Sequence, residues 1–403
     1  MLKNEKSLKK SSSPRFHWNR TTRDAVNIVR KHRQLSRAQL AAEMKLTPSA
    51  MTLMIRSLLK AGILRTDEWV ASPGKGRPQQ MLKIGTSGFY SLGISVGFEI
   101  DIVLLNPAYE IVASDHVATR FRDENFNTQK GIEKVIQSIQ KLLQKIPKDR
   151  LAGIGVSVMG DISADASVVI SASDFFDLNR ARLFFSKLKE AVDAPLHVIN
   201  NMHVSALAER WLNPTLSHDA SILYITKRMG IGIILEGHLY RGPEKWARTI
   251  SHYQVNPKGD LCFCGNRGCL HLTALPDSIS SRLAGLTWKD PARTLAVRQK
   301  HLDTLWNCYA SGDPEVEKLI HQGLEDFSLV LKNLASIFKF DLLVWEPWED
   351  QFSQDLIRRL EVASASWLDR LPNKHIQLPI LGVLQQSVGA GIFAMESFMG
   401  NAM

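Results

Sequence analysis

The first residues carry no apolar rhythm. Residues 1–20 are rich in Lys, Ser and Asn, with Pro14, which predicts a flexible basic tail. From Thr21 the apolar positions fall into helical phase. Val26, Ile28 and Val29 mark a first helix ending near Arg33, and Leu40, Ala41 and Met44 mark a short second helix capped by Ser36. Met51, Ile55, Leu58 and Leu59 stripe a third, opened by Thr47 and Pro48, because proline is tolerated in a first turn. Gly62 ends it. The pattern then turns to strands, Ile63 to Val70 and Gln79 to Ile84, which predict a β-hairpin about the tip Gly74-Lys75-Gly76-Arg77-Pro78.

Beyond Phe89, strands and helices alternate. Ser91 to Asn106 reads as strand, turn and strand, and Lys130 to Lys145 as an amphipathic helix with Ile132, Val135, Ile136, Ile139 and Leu142 inward. Strands follow at Leu151 to Val158 and Leu196 to Asn200, then a helix from Met202 to Trp211. A second strand pair, Ser221 to Thr226 and Ile231 to Gly237, repeats the early order ahead of a long helix from Asp313 to Phe338 and a strand from Asp341 to Trp345. Further helices are predicted for Gln351 to Ala365 and Val383 to Phe398. Such alternation argues an α/β architecture, and the repetition argues a two-lobed body with a cleft between the lobes. No run approaches the roughly 18 apolar residues that span a bilayer, and no apolar segment follows the basic N-terminus. The expectation is a cytoplasmic protein without membrane contact.

Charge divides this picture sharply. Residues 1–83 hold 18 Lys and Arg against 5 Asp and Glu, whereas the remainder holds 32 against 35. A solubilising tail accounts for Lys3, Lys6, Lys9 and Lys10 but not for the charges farther in. A basic segment on a slightly acidic body is the footprint of a nucleic-acid-binding domain. Two short helices joined by a tight turn, followed by a hairpin, predict a winged helix-turn-helix that grips double-stranded DNA. Its contact residues are then Ser36 and Arg37 at the start of the second helix and Thr47, Ser49, Thr52 and Arg56 along the third. Lys75 and Arg77 at the wing tip would meet phosphates or a narrow minor groove.

One further stretch carries chemistry. His252 stands ten residues before Cys262, and Cys262, Cys264 and Cys269 crowd three of the chain's four cysteines into eight positions. Zinc takes four nitrogen and sulfur ligands tetrahedrally, and a site filled by four protein ligands is structural, since a catalytic zinc keeps a position open. Reduced buried thiols or a disulfide are the alternatives; the absence of a secretory signal speaks against a disulfide.

With those residues laid out, the chain from Thr21 onward resembles the ROK family of repressors, open reading frames and sugar kinases. The family pattern is Glu-x-Gly-His, about nine residues, then Cys-x-Cys-Gly-x-x-Gly-Cys-Leu-Glu, and His252, Cys262, Cys264 and Cys269 match its metal ligands. The resemblance implies a duplicated actin-like, hexokinase-like ATPase fold of two lobes behind the winged helix, and regulator members carry a wing similar to Gly76-Arg77-Pro78. It implies a division into a tail at 1–20, the winged helix-turn-helix at 21–85 and the ROK body at 86–403, with lobe 1 at about 89–199 plus the C-terminal helix and lobe 2 at about 200–384.

Three features of the family's kinases are altered. The phosphate loop Asp-x-Gly-Gly-Thr is replaced by Ser95-Val96-Gly97-Phe98-Glu99. The catalytic Asn-Asp pair becomes Asn200-Asn201, and an amide does not accept the proton that a general base must take. The adenosine-side Gly-Gly becomes Glu346-Pro347. Sugar contacts fall on Asn200, Asn201, Thr249, His252 and His271, with Thr249 and His271 standing where the family has glutamates. These changes imply a transcriptional regulator, a homodimer or homotetramer, that responds to a sugar, a sugar derivative or a regulatory protein. The alternative is an ATP-dependent sugar kinase with a fused DNA-binding head.

Overall fold

The computed structural model describes residues 16–400 except 72–77, 98, 122, 124, 163–168, 173–176, 218, 243–249 and 287–294. The chain forms two compact units, one of residues 1–208 with 383–403 and the other of residues 209–382.

Unit 1 begins with a small head. Its elements are α1 (Arg20–His32), β1 (Leu35–Ser36), α2 (Arg37–Met44), α3 (Pro48–Lys60), β2 (Leu64–Val70) and β3 (Gln79–Ile84). The helices start where side chains satisfy the free amides of a first turn. Asn19 and Thr22 form a reciprocal cap on α1, Ser36 and Gln39 do the same on α2, and Thr47 caps α3 ahead of Pro48. Lys45, in the left-handed conformation at φ 53°, turns the chain between α2 and α3. The antiparallel sheet runs β1-β3-β2. Val26, Val29, Leu40, Ile55, Leu58 and Leu82 fill the core beneath it, each burial contributing on the order of 2 kcal/mol.

The rest of unit 1 is an α/β layer. It comprises β4 (Tyr90–Val96), β5 (Ile100–Leu105), β6 (Ile111–Val117), α4 (Thr128–Leu143), β7 (Leu151–Val158), β8 (Gly160–Ile162), β9 (Val169–Ala172), α5 (Leu178–Ala191), β10 (Leu196–Asn200) and the start of α6 (Asn201–Leu212). Its main sheet has the order β10-β7-β4-β5-β6. The central β4 pairs in parallel with β7 and antiparallel with β5.

Unit 2 contains β11 (Ile222–Ile225), β12 (Ile231–Leu235), β13 (His238–Tyr240), α7 (Leu270–Ala274), α8 (Pro276–Leu283), α9 (Leu295–Ala310), α10 (Pro314–Ile337), β14 (Leu342–Trp345), α11 (Ser353–Leu368) and β15 (Ile376–Gln377). Its sheet runs β13-β12-β11-β14-β15, with β11 parallel to β14 and antiparallel to β12. The two sheets therefore share one topology. In each, the first strand is central, its hairpin partner and a third strand lie to one side, and two later parallel strands lie to the other. Phe327, Trp345 and Trp348 stack edge to face in the core of unit 2.

The last helix, α12 (Gln385–Met399), returns to unit 1 and lies directly on its sheet. Glycines make this possible. A β-carbon on Gly155 would come within 1.9 Å of the Ala390 carbonyl oxygen, and one on Gly93 within 1.9 Å of the Ser387 carbonyl. Both strand positions are closed to any side chain.

Candidate metal centre and nucleic-acid interface

The sequence from His252 to Cys269 folds into a compact knuckle. Leu261 pairs with Arg267 and Gln254 with Cys269 as short antiparallel bridges, and the Cys262 amide donates to the Asn266 carbonyl at 2.7 Å. Gly265 and Gly268 take φ of 93° and 61°, and a β-carbon on Gly268 would lie 1.7 Å from the Asn256 carbonyl, so only glycine closes this turn. The turn brings the ligand atoms of His252, Cys262, Cys264 and Cys269 within 4.8 Å of one another.

The separations suit a tetrahedral metal. Cys264 Sγ lies 3.6 Å from Cys269 Sγ, and Cys262 Sγ lies 3.4 Å from His252 Nδ1. Metal–sulfur and metal–nitrogen bonds of ordinary zinc length set tetrahedral edges of about 3.8 and about 3.5 Å. Burial pushes the Cys262 and Cys269 thiols above their ordinary values, so their thiolate forms need a positive charge beside them. Burial also holds His252 below its ordinary value, which favours the neutral ring a metal binds. A hydrogen bond from the Asn266 amide lowers Cys264, the most exposed of the three thiols.

His271, expected only as a ligand contact, belongs to the same cluster. It is buried, and its Nε2 lies 3.1 Å from Cys262 Sγ. Its ring stands 5.1 Å from that of His252, and the exposed Phe263 packs against both. The other expected ligand contacts are distributed differently. Asn200 and Asn201 lie in unit 1, whereas His252 and His271 lie in unit 2; Thr249 lies outside the described residues. Asn200 is largely committed to structure. Its Nδ2 donates to the Gly160 carbonyl at 2.8 Å, and its Oδ1 accepts from the Met202 amide at 2.9 Å, leaving one amide hydrogen and one lone pair. Asn201 is buried with its Oδ1 free of any hydrogen bond to described groups.

The three altered kinase positions also have a local structure. Glu99, in the β4–β5 turn, is bridged to Asp101 through His116, at 2.9 and 2.8 Å. The hydrogen bond to Asp101 raises His116 above its ordinary value, and Phe98 lies outside the described residues. In unit 2 the matching turn is closed on itself, Thr226 donating its amide to the Gly230 carbonyl at 2.9 Å and accepting at Oγ1 from the Gly230 amide at 3.1 Å. Glu346, at the end of β14, is half-buried beside this turn, where its carboxylate accepts from the Lys227 amide at 3.4 Å. Tyr224 donates its hydroxyl to Glu346 at 2.5 Å, yet burial prevails and raises the carboxyl above its ordinary value.

In the head, α3 presents one face outward. Ser49, Thr52 and Arg56 are exposed on it, Arg37 and Thr47 are exposed beside it, and Thr52 donates to the Pro48 carbonyl at 2.7 Å. Leu53, unforeseen in the sequence, joins this face at 67% exposure. Its signal was an apolar residue out of phase with the buried stripe of Met51, Ile55 and Leu58. Ser36 requires a correction as a DNA contact: it is 2% exposed and its hydroxyl accepts from the Gln39 amide at 3.2 Å, so it is a cap. Lys75 and Arg77 lie outside the described residues. No described helix is long and apolar enough to cross a membrane.

Two sheets of identical strand order, with helices between parallel strands, define a duplicated α/β fold of the actin-like ATPase type. Residues 91–346 match the ROK family, and the chain belongs to that family. Among curated proteins, it is 27% identical over 272 residues to the xylose repressor of Bacillus subtilis, covering 65% of this chain and 68% of that one. It is 26% identical over 295 residues to the transcriptional dual regulator NagC of Escherichia coli, covering 73% and 71%. The match to the Escherichia coli repressor Mlc spans 61% of this chain and 60% of that protein at 26% identity. Among solved structures, a ROK family transcriptional regulator described as a homologue of Mlc superposes with a TM-score of 0.70 at 20% identity, over 95% of this chain and 98% of the other. A ROK hexokinase from Thermus thermophilus gives 0.57 at 20% identity, over 75% and 98%. At these identities the two likenesses establish the fold alone.

Proposed function

We propose that this protein is a DNA-binding transcriptional repressor of carbohydrate genes, without kinase activity, that answers to a sugar-derived ligand or a regulatory protein. The head is a winged helix-turn-helix spanning residues 21–85, and the ROK body occupies 86–403. The observation that carries the reading is the outward face of α3, where Ser49, Thr52, Leu53 and Arg56 stand free of the core in the basic part of the chain. Small polar side chains at the start of a helix reach base edges, a leucine meets thymine methyl groups, and arginine holds phosphate or guanine. Arg37 and Thr47, with Lys75 and Arg77 of the wing, supply backbone contacts. A homodimer or homotetramer presents such heads in pairs, matching half-sites about 34 Å apart.

The fourfold donor set of His252, Cys262, Cys264 and Cys269 is read as a structural zinc site. Zinc supplies the charge that keeps buried thiolates ionised, and the four ligands leave no position for a reacting water. Effector contacts are assigned to Asn200, Asn201, Thr249, His252 and His271. The kinase alternative lacks a base at Asn201, an open phosphate loop at Glu99 and room at Glu346. The protein is assigned to the cytoplasm.

Two measurements test this reading. Selection from a random duplex pool is expected to enrich a two-part sequence, and Arg56→Ala is expected to weaken its binding by about tenfold, in line with one lost charged contact. A coupled ADP-release assay over a panel of hexoses is expected to stay at background. Turnover with any hexose, together with no enrichment from the pool, contradicts the proposal.

A further inference from the structure

A cluster of buried contacts in unit 1 joins α1 of the head to the C-terminal end of α12, and the function proposed above does not use it. Arg30, on α1, lies with its side chain 9% exposed against Glu396 at 6%, and the two meet at 3.1 Å. The same guanidinium donates through Nη2 to the Pro107 carbonyl at 3.1 Å and stacks on the Tyr109 ring, 4.2 Å from its centroid. The Tyr109 hydroxyl donates to Glu396 in turn. Tyr109 is held at φ 65°, a left-handed conformation disfavoured for a bulky residue. Asn106 enforces it by accepting at Oδ1 from the Ala108 and Glu110 amides at 2.9 and 3.0 Å.

Two further contacts flank this cluster. Arg23 donates to the carbonyl of Gly400, the residue that caps α12, at 2.6 Å. Phe16, Trp18, Phe89 and Phe398 form a chain of ring contacts with centroids 4.8 to 6.4 Å apart. The other end of α12 is fixed just as closely. Gln385 donates to the Ser205 carbonyl at 3.0 Å, Gln386 accepts from Ser95 Oγ at 3.2 Å, and a β-carbon on Gly389 would lie 1.9 Å from the Val204 carbonyl. The helix is thus wedged backbone to backbone against β4, β7 and α6. A close-packed element of this kind moves as one body.

A buried ion pair is an uncertain source of stability, because desolvation offsets its attraction, but it demands a defined geometry. We propose that Arg30 and Glu396 form a joint that fixes the orientation of the head on unit 1 through α12, making both positioning residues for DNA binding. The joint rests on the proposed function only where DNA is concerned. Its geometry stands apart from that reading.

The test uses the full chain with spin-labelled amino acids introduced at Lys60 of α3 and Lys134 of α4, both exposed. The joint predicts a narrow distance distribution for the parent protein. It predicts broad ones for Arg30→Met and Glu396→Gln, each of which strands one buried partner. A recovered narrow distribution is expected for the double variant Arg30→Met/Glu396→Met, where neither charge remains. Tyr109→Phe, which removes only the hydroxyl, keeps the experiment decisive if either single variant fails to fold, and it is expected to broaden the distribution partially. A broad parent distribution, or variants as narrow as the parent, overturns the joint. On a duplex carrying two selected half-sites, the single variants are expected to bind at least tenfold more weakly, with a single half-site unaffected. Equal loss on both duplexes also overturns it. A parent that binds no duplex while showing the predicted distance pattern removes the DNA reading and leaves the joint standing.

Discussion

The two sheets have the same strand order and end in different chemistry. In unit 1 the strand termini that would face a ligand carry Ser95, Ser157, Asn200 and Asn201, with the Asn201 Oδ1 and the Ser157 Oγ buried and without hydrogen bonds to described groups. In unit 2 the corresponding ends carry Tyr224, Thr226 and Glu346, which hydrogen-bond among themselves and to the turn after β11, beside the buried indole of Trp345. One half leaves small oxygen acceptors unpaired among the described groups, and the other pairs its hydroxyls and its carboxylate. Fold sets where a site lies, and the residues at strand ends decide what happens there.

The halves also differ in what holds them together. Unit 2 contains the Cys and His knuckle, whereas unit 1 relies on the glycine-lined seat of α12. Removing metal, or making Cys264→Ser, is therefore expected to destabilise unit 2 by on the order of 3 kcal/mol or more, about 10 °C in unfolding temperature. Elemental analysis with hydrogen exchange on both units checks this, and equal loosening of unit 1 would break the contrast. In unit 1, Gly155→Ala forces a methyl group onto the Ala390 carbonyl. A loss of about 2 to 3 kcal/mol is expected, read by chemical denaturation.

Much of this was legible in the sequence. The head strands, the central strands of both sheets and the helices α3, α4, α10 and α11 follow from apolar spacing, because each has one face in a core. β6 was not legible: Ile111 and Val112 are exposed and only Ala113 and Val117 are buried, so it lacks a strand's alternation. Neither α5 nor the helices α7 to α9 were resolved by period. The cluster of His252, Cys262, Cys264 and Cys269 was visible in the spacing, since four donors within eighteen residues need only local turns to converge. His271 was placed beside them by the fold. Ser36 shows the opposite error. Its reciprocal pattern with Gln39 signals a cap, and a hydroxyl buried in that role is withdrawn from DNA. The Arg30 and Glu396 pair, 366 residues apart in sequence, left no local trace.

Smaller effects sharpen the comparison further. Burial raises the folded-state value of Glu346, so the folded chain holds its proton more tightly than the unfolded one. Its contribution favours the fold at acidic pH and is lost as pH rises past the ordinary carboxyl value of 4.5. Glu346→Gln is accordingly expected to raise the unfolding temperature of unit 2 by about 2 to 4 °C at neutral pH, and to flatten its decline between acid and neutral pH. A lower temperature at pH 7 contradicts this. His116 shows the same direction of pH dependence for a different reason, since its folded surroundings favour the charged ring. Its folded value is raised by Asp101 and Glu99, so its contribution is present below 6.5 and lost as pH rises through the folded value. The site is exposed, and His116→Gln is expected to cost only a few tenths of a kcal/mol at pH 5.5 and nothing at pH 8.5.

On the proposed function, a basic head grips duplex DNA on behalf of a body that does not transfer phosphate. The most direct test of that reading is the salt dependence of duplex binding by the full chain, followed by fluorescence anisotropy. A linear fall of log affinity with log salt is expected, with a slope reduced by about one unit in Arg56→Ala, because each phosphate contact releases a counterion. Affinity that does not change with salt, or a slope identical in the variant and the parent, contradicts the reading.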